Sequence, residues 1–392
     1  MKKIVSLIVA LICSAVLYSP LSYGESLIFA GFTFSGEAGS IQARYPYLNE
    51  LYKQKTPKGM SSLSSQVLNR LGRVTNPALT MGPPDSMMNL KNMDGSLVTV
   101  LLVTGETVLN ENYGSYNKTF INLSADALIF DYKNKTIVRS YPLNLVLFDA
   151  STGNQPPSKQ KIQELILDMV TRSDDKGLIS QYLNRLSGAT LPKDGAKSIQ
   201  VAKVEVNPEA YGMFPPQLRA NKNTVADILL DGFSSALSAK TGVAILPSKI
   251  GQALGMMTLK LDNSDGQIKI KIGDGDYLVN LKLNKYAKIK KEETAVEVSN
   301  IYATSVNIDI YEQLSDQHFL QSDFKNGELS IAPINKQAGD DFPGYMDSLN
   351  GIFKKFADAI KTDDLGWAKA AASSSNISSE ISKTRKLIES NM

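Results

Sequence analysis

The sequence predicts an α+β protein of two tandem domains, each a mostly antiparallel sheet with helices packed on one face. Three observations carry this. Alternating apolar runs cluster in two blocks, Leu97–Phe148 and Gln267–Leu329. Stripes of helical period fall between and after those blocks instead of alternating with single strands. The stretch "SGATLPKDGAKS", Ser187–Ser198, collects Gly, Pro, Ser and Lys without periodicity and reads as a connector. The expected division is residues 1–24 as signal peptide, 25–190 as first domain, 191–198 as linker and 199–361 as second domain. Residues 362–392 would form a helical or flexible tail.

The opening "MKKIVSLIVALICSAVLYSPLSYGES" joins Lys2 and Lys3 to an apolar run, Ile4–Leu17, shorter than the ~20 residues a spanning helix needs. Small residues at Ser22 and Gly24 mark a peptidase site, so cleavage is expected after Gly24. Cys13 follows Ile12, where a lipidation site wants a small residue, and is expected to leave with the signal.

Glu25–Ser35 alternates as a strand, and Ser61–Leu71 is a helix with Leu63, Val67, Leu68 and Leu71 on one face. Strands follow at Leu97–Val103, Thr119–Tyr132 and Thr136–Phe148, the last two joined by the turn Lys133–Lys135. Period-two burial puts Ile137, Tyr141, Leu143, Leu145 and Leu147 on a common face. Ser158 caps a helix striped by Ile162, Leu165, Ile166, Met169 and Val170, and a second helix spans Gly177–Leu186. Beyond the linker come the strand "IQVAKVEVN" and a helix capped by Asn223 or Thr224. That helix carries Val225, Ile228, Leu229, Phe233, Ala236 and Leu237 and ends at Gly242. "VAILP", "QIKIKI", "DYLVNLKLNKYAKIKKEE", "AVEVSNIYATSVNIDIYEQ" and "HFLQSDFKNGEL" read as strands, and Tyr345–Ile360 as a closing helix. Aligning Leu97 with Leu278 matches the two meanders in strand order, which true repeats and ordinary meanders would both produce.

Composition excludes several function classes. Without the signal, 40 basic and 39 acidic residues give a formal charge of +1, no electrostatic case for nucleic acid. With Cys13 removed, disulfides, thiol catalysis and Cys-based metal sites are excluded, and a single His318 excludes two-imidazole zinc sites. "DNSDG", Asp262–Gly266, begins like a calcium loop but has Gly273 where the twelfth-position glutamate belongs, so no metal is expected. No phosphate-cradling glycine motif occurs, so no cofactor is expected.

The tripeptide Lys240-Thr241-Gly242 matches the KTG of serine acyl-transfer enzymes, and Ser158 to Lys161 satisfies S-x-x-K. No S-x-N lies between them, and a lysine followed by glycine at a helix end is ordinary capping. His318 is expected to be a solvated turn residue. The pairs Asp174-Asp175 and Asp340-Asp341 fall in loops with no partner for acid–base work. "GDGDY", ending at Tyr277, is read as turn chemistry.

In the second half, a helix ending in Gly242, a strand ending at Pro247 and the meander Leu278–Phe324 resemble the family built on the amino-terminal domain of the Tol translocation protein B. Similar domains occur in curli-secretion channel proteins, in lipoprotein activators of penicillin-binding proteins and in a flagellar collar protein. The resemblance implies a non-catalytic protein-interaction module of the cell envelope. This chain lacks the lipidation cysteine of the channel and activator members, which puts outer-membrane anchoring in doubt. The expectation is therefore an exported, non-enzymatic adaptor, periplasmic or associated with the outer membrane or peptidoglycan. Its protein partners would meet the charged excursion of the meander at Tyr286, Lys288, Lys290 and Lys291. A periplasmic hydrolase acting on cell-wall material and a secreted surface factor are the alternatives.

Overall fold

The computed structural model describes residues 25–82, 97–153, 155–193, 195–249, 255–261, 267–333, 341–362 and 364–392. The signal-peptide segment, Asp262–Gly266 and Asp340 lie outside them. The first half runs β1 (Glu25–Phe34), α1 (Ile41–Arg44), α2 (Leu48–Tyr52), α3 (Ser62–Leu71) and β2 (Leu79–Met81). A long meander follows, β3 (Leu97–Asn112), β4 (Tyr116–Asp131) and β5 (Thr136–Thr152), and then α4 (Lys159–Thr171) and α5 (Leu178–Ser187). The second half begins with β6 (Ile199–Val206), α6 (Pro208–Tyr211), α7 (Pro216–Arg219), α8 (Lys222–Thr241) and β7 (Ile245–Leu246). After the hairpin β8 (Met256–Lys260) and β9 (Gln267–Lys271) comes the meander β10 (Tyr277–Glu293), β11 (Glu297–Glu312) and β12 (His318–Pro333). Helices α9 (Phe342–Lys361), α10 (Gly366–Ala371) and α11 (Ile377–Glu389) close the chain.

The α+β class holds, with one seven-stranded and one five-stranded sheet packed with helices. The halves repeat one topology. In the first, β2-β1-β3-β4-β5 lie side by side; in the second, β7-β6-β10-β11-β12 do. In each, the leading strand pairs parallel with the short strand and with the first meander strand, and the meander is antiparallel. Both first meander strands carry a bulge at their eighth residue, Thr104 and Asn284. The repeat therefore aligns Leu97 with Tyr277, one residue from the expected Leu278.

The halves are not independent. Hairpin β8–β9 leaves the second half and joins the first sheet, with Lys271 beside Thr136 of β5. Leu259 then bridges back to Ser35 at the end of β1, so the sheet curls on itself. The enclosed core includes Ile28, Val98, Leu102, Leu128, Phe130 and Leu259, all at most 1 % exposed. The opposite face of this sheet packs against α3, α4 and α5 through Leu63, Ile166 and Tyr182. The linker at 191–198 thus divides the repeats in sequence, but the hairpin crosses it in space.

Three readings are corrected. Ile137 lies on the opposite face from Tyr141, Leu143, Leu145 and Leu147, because a bulge at Val138 flips the alternation. Helix α8 is capped by Asn221, whose side chain accepts from the Asn223 amide, not by Asn223 or Thr224. The tail is helical but built in: Ile377, Ile381, Leu387 and Ile388 are buried in the second core, and Arg385 Nε donates to the Ile360 carbonyl at 2.7 Å, near the end of α9. As expected, Ser158 caps α4 and Gly242 takes the left-handed conformation, φ +83°, that ends α8.

Helix α9 comes close enough to β11 that a Cβ at Gly344 would press into the Tyr302 ring. Replacing Gly344 by Ala is expected to cost about 1–3 kcal/mol of stability, from overpacking. A lowered denaturant midpoint with an unchanged m-value would show it.

Candidate functional site

A cleft of about 660 Å³ opens between the halves. Its first-half wall comes from the β3 bulge and the adjoining face of β4, and its second-half wall from α8. Along β4 the side chains of Asn122, Ser124 and Asp126 alternate onto one face and are buried, at 3 %, 1 % and 6 % exposure. Further along the same face Leu128 and Phe130 enter the apolar core. The polar stretch lies where the cleft is.

Four carboxylates line this cleft: Glu106, Asp126, Asp227 and Asp231. None of the four is among the residues that the sequence motifs single out. Asp227 and Asp231 are four residues apart on α8 and so share a face, with their Cα atoms ~6 Å apart along the axis. Thr104 is the extra residue of the β3 bulge, which turns Glu106 toward α2. Both oxygens of Glu106 accept backbone amides there, from Tyr47 at 2.9 Å and Leu48 at 2.8 Å. Asp126 accepts from Ser140 Oγ at 3.0 Å. Ser124 donates to Asp231, while its oxygen accepts from Asn144 Nδ2 at 3.1 Å and Asn122 Nδ2 at 3.3 Å.

Burial dominates the electrostatics. Loss of hydration pushes the Asp231 carboxyl up to about 8, with repulsion from Asp227 and Asp126 adding to it and the Ser124 bond opposing it. Glu106 is pushed up to about 7 by burial despite its two amide bonds. Asp126 rises to about 6, opposed by Ser140. Asp227 also rises to about 6 through crowding by protein atoms, opposed by Arg44. Asp227 keeps over a third of its surface open at the cleft mouth, so solvent screens it most and its shift weighs least. The one cation in the lining is Arg44, whose Nη1 donates to the Ser35 carbonyl at 2.8 Å. Ser234 lies in the wall at 2 % exposure, and its hydroxyl has no hydrogen-bond partner.

The residues expected to meet partners divide. Tyr286 is buried at 4 % exposure, its ring stacked on Tyr345 with centroids 4.8 Å apart, so it cannot be a surface contact. Its hydroxyl is held well above the usual tyrosine range by burial. Lys288 pairs with Asp341 at 2.7 Å and Lys290 with Glu293; both lie on the face of β10 nearer α9. Lys291 is exposed at a bulge. The other face of the meander end is bare and apolar. Ile289, Ile301 and Leu329 face each other across three strands. Ile289 is 54 % exposed, Leu329 53 % and Ile331 58 %, with Val296 at the turn 72 %.

The remaining motifs are structural. Lys240 pairs with Asp358 at 2.8 Å and ends α8. Ser158 Oγ is used as a helix cap. His318 begins β12, with Nδ1 2.6 Å from Asp309 Oδ1 and its ring stacked on Tyr311. Asp174 and Asp175 remain in an exposed turn. Among the described residues no group of three His, Cys, Asp or Glu could hold a metal ion.

The raised carboxylates fix the sign of a pH dependence. Below about pH 4 they are protonated folded and unfolded alike; above it the unfolded chain ionises while the folded cleft holds its protons. Stability contributed by the cleft is therefore lost as pH rises through about 6 to about 8. We expect a Tm several degrees lower at about pH 8 than at about pH 5, and a reduced but not abolished difference in Asp231→Asn, by scanning calorimetry.

The sequence matches no family model and no curated protein. Among solved structures it is similar to a DUF330 protein from Xanthomonas campestris at 9 % identity, covering 41 % of this chain and 82 % of that one, TM-score 0.25. It is also similar to a hypothetical protein from Chlamydia trachomatis at 10 % identity, covering 45 % and 99 %, TM-score 0.24. A minor lipoprotein from Acinetobacter baumannii aligns at 8 % identity over 45 % and 96 %, TM-score 0.21. Each likeness spans under half of this chain, and the fold described above rests on its own strand order rather than on them.

Proposed function

We propose that the chain is an exported, non-enzymatic protein of the bacterial cell envelope that accepts a strand from a partner protein at the free end of its second sheet. The observation that carries this is the bare apolar row Ile289–Leu329 with Ile331 and Val296. The row ends on β12, which pairs with β11 on one side; on its other edge the tail covers Gln321 to Phe324 through Glu380, Ala372 and Ser373, and beyond Phe324 no described strand pairs with it. A long edge with exposed apolar side chains invites pairing, and an added partner strand both satisfies its amides and covers those side chains. The helix–strand–meander order resembling the Tol-type envelope modules points the same way. No helix among the described residues is long and apolar enough to cross a membrane. Photocrosslinkers placed at Leu329 or Ile331 in envelope preparations are expected to trap one discrete protein, and Ile289→Ser with Leu329→Ser to abolish the adduct. Recovery of no protein adduct from either position would sink the reading.

One observation favours a second reading, a hydrolase of cell-wall material: the cleft holds a protonated Asp231 beside a more open Asp227, the pairing that general acid–base work needs. It requires turnover of purified peptidoglycan that Asp231→Asn removes while the protein stays folded. Such turnover would replace the adaptor reading.

A further inference from the structure

We propose that the cleft between the two halves is a binding site for a small linear organic diamine, its ammonium groups held by Asp227 and Asp231. The inference is independent of strand docking at the far end of the second sheet. Charge comes first. Four carboxylates and a single guanidinium line the cleft, and that guanidinium is committed to the Ser35 and Thr104 carbonyls at 2.8 and 3.4 Å. Once these carboxyls ionise, a concave site so lined attracts cations. The unsatisfied Ser234 hydroxyl is the second, separate sign of a missing partner, since buried polar groups in folded proteins are nearly always bonded.

The geometry selects the kind of cation. Glu106 and Asp126 are already bonded to amides and to Ser140, and among the described residues no three carboxylates converge as a metal ion requires. The volume, about 660 Å³, falls within the usual range for small organic ligands. Asp227 at the mouth and Asp231 deeper in, one helical turn apart, match two ammonium groups separated by ~6 Å. Ile228, Leu230 and Met257 supply apolar wall for the connecting methylenes. An ammonium beside Asp231 replaces the proton that burial keeps there, so binding releases protons near neutrality.

Isothermal titration calorimetry of the full chain with diaminobutane, and with butanediol as its neutral match, tests this. The expected result at about pH 8 is saturable binding of the diamine alone, with proton release and weaker binding at about pH 5. Asp227→Asn and Asp231→Asn should each weaken it about tenfold, as loss of a charge-assisted contact does, and Ser234→Ala severalfold. The Asn variants relieve repulsion and should melt no lower than the parent, so loss of binding in them is not loss of fold. Ile289→Ser should bind unchanged, which separates this site from the docking surface. No saturable heat, equal binding of the diol, or unchanged affinity in any of the three cleft variants would overturn the proposal.

Discussion

The arrangement depends on helix α8 being buried on more than one side. Val225, Leu229, Phe233 and Leu237 are at most 1 % exposed and belong to the second core, yet the helix also packs against β5 of the first sheet. It therefore joins the two repeats along its length. Phe342 at the start of α9 does the same at a point, its ring 5.2 Å from Phe120 and 5.8 Å from Phe148 of the first sheet and 5.9 Å from Phe214 of the second half. With hairpin β8–β9 closing the first sheet, three separate segments of the second half complete the packing of the first. Such shared burial couples the two domains more closely than a linker alone would.

That constraint also explains the cleft. The middle of α8 is wedged between two layers, so Asp231 and Ser234, with Asp227 at the open mouth, face the polar stretch of β4. Both sides carry the cost of desolvated carboxyls, met in part by the Asn122–Ser124–Asn144 network that reaches Asp231. The equivalent bulge in the second repeat has no such cluster: Asn284 there bonds to Asp323 at 3.0 Å. One topology, used twice, thus has an acidic cleft at one bulge and, at the other, a single aspartate, Asp323, bonded by Asn284 and Asn307.

Much of the fold was legible, because period-two and helical-period burial are local signals. The meanders, α3, α4, α8 and α9 stand close to where alternation and stripes place them, and Gly242 ends α8 for the reason its residue type suggests. Non-local pairing was hidden. Nothing in "QIKIKI" says that it crosses to the first sheet, and the Val138 bulge that turns Ile137 over leaves no mark in the alternation. The cleft was half legible. Asn122, Ser124 and Asp126 alternate within "INLSADALIF", a strand otherwise apolar on both faces, and a central strand with one polar row signals a buried polar site. On α8 the apolar stripe says nothing of Asp227 and Asp231, and charges off such a stripe face solvent by default.

The meander end shows the converse error, and its cause is physical. A run of lysines reads as a contact surface because charge is conspicuous in sequence. On a strand, however, alternate residues point to opposite faces, so Tyr286, Lys288 and Lys290 share one side and Ile289 the other. Tyr286, with its large apolar ring, is pulled under α9, and the lysines on its side follow and pair with Asp341 and Glu293. What remains bare is the aliphatic row between them. Carboxylates buried where helix meets sheet and isoleucines left in water both run against the ordinary sorting of residues by polarity. The two occur at different places in the molecule, one between the repeats and one at the far end of the second sheet. They therefore mark two surfaces that can be occupied separately.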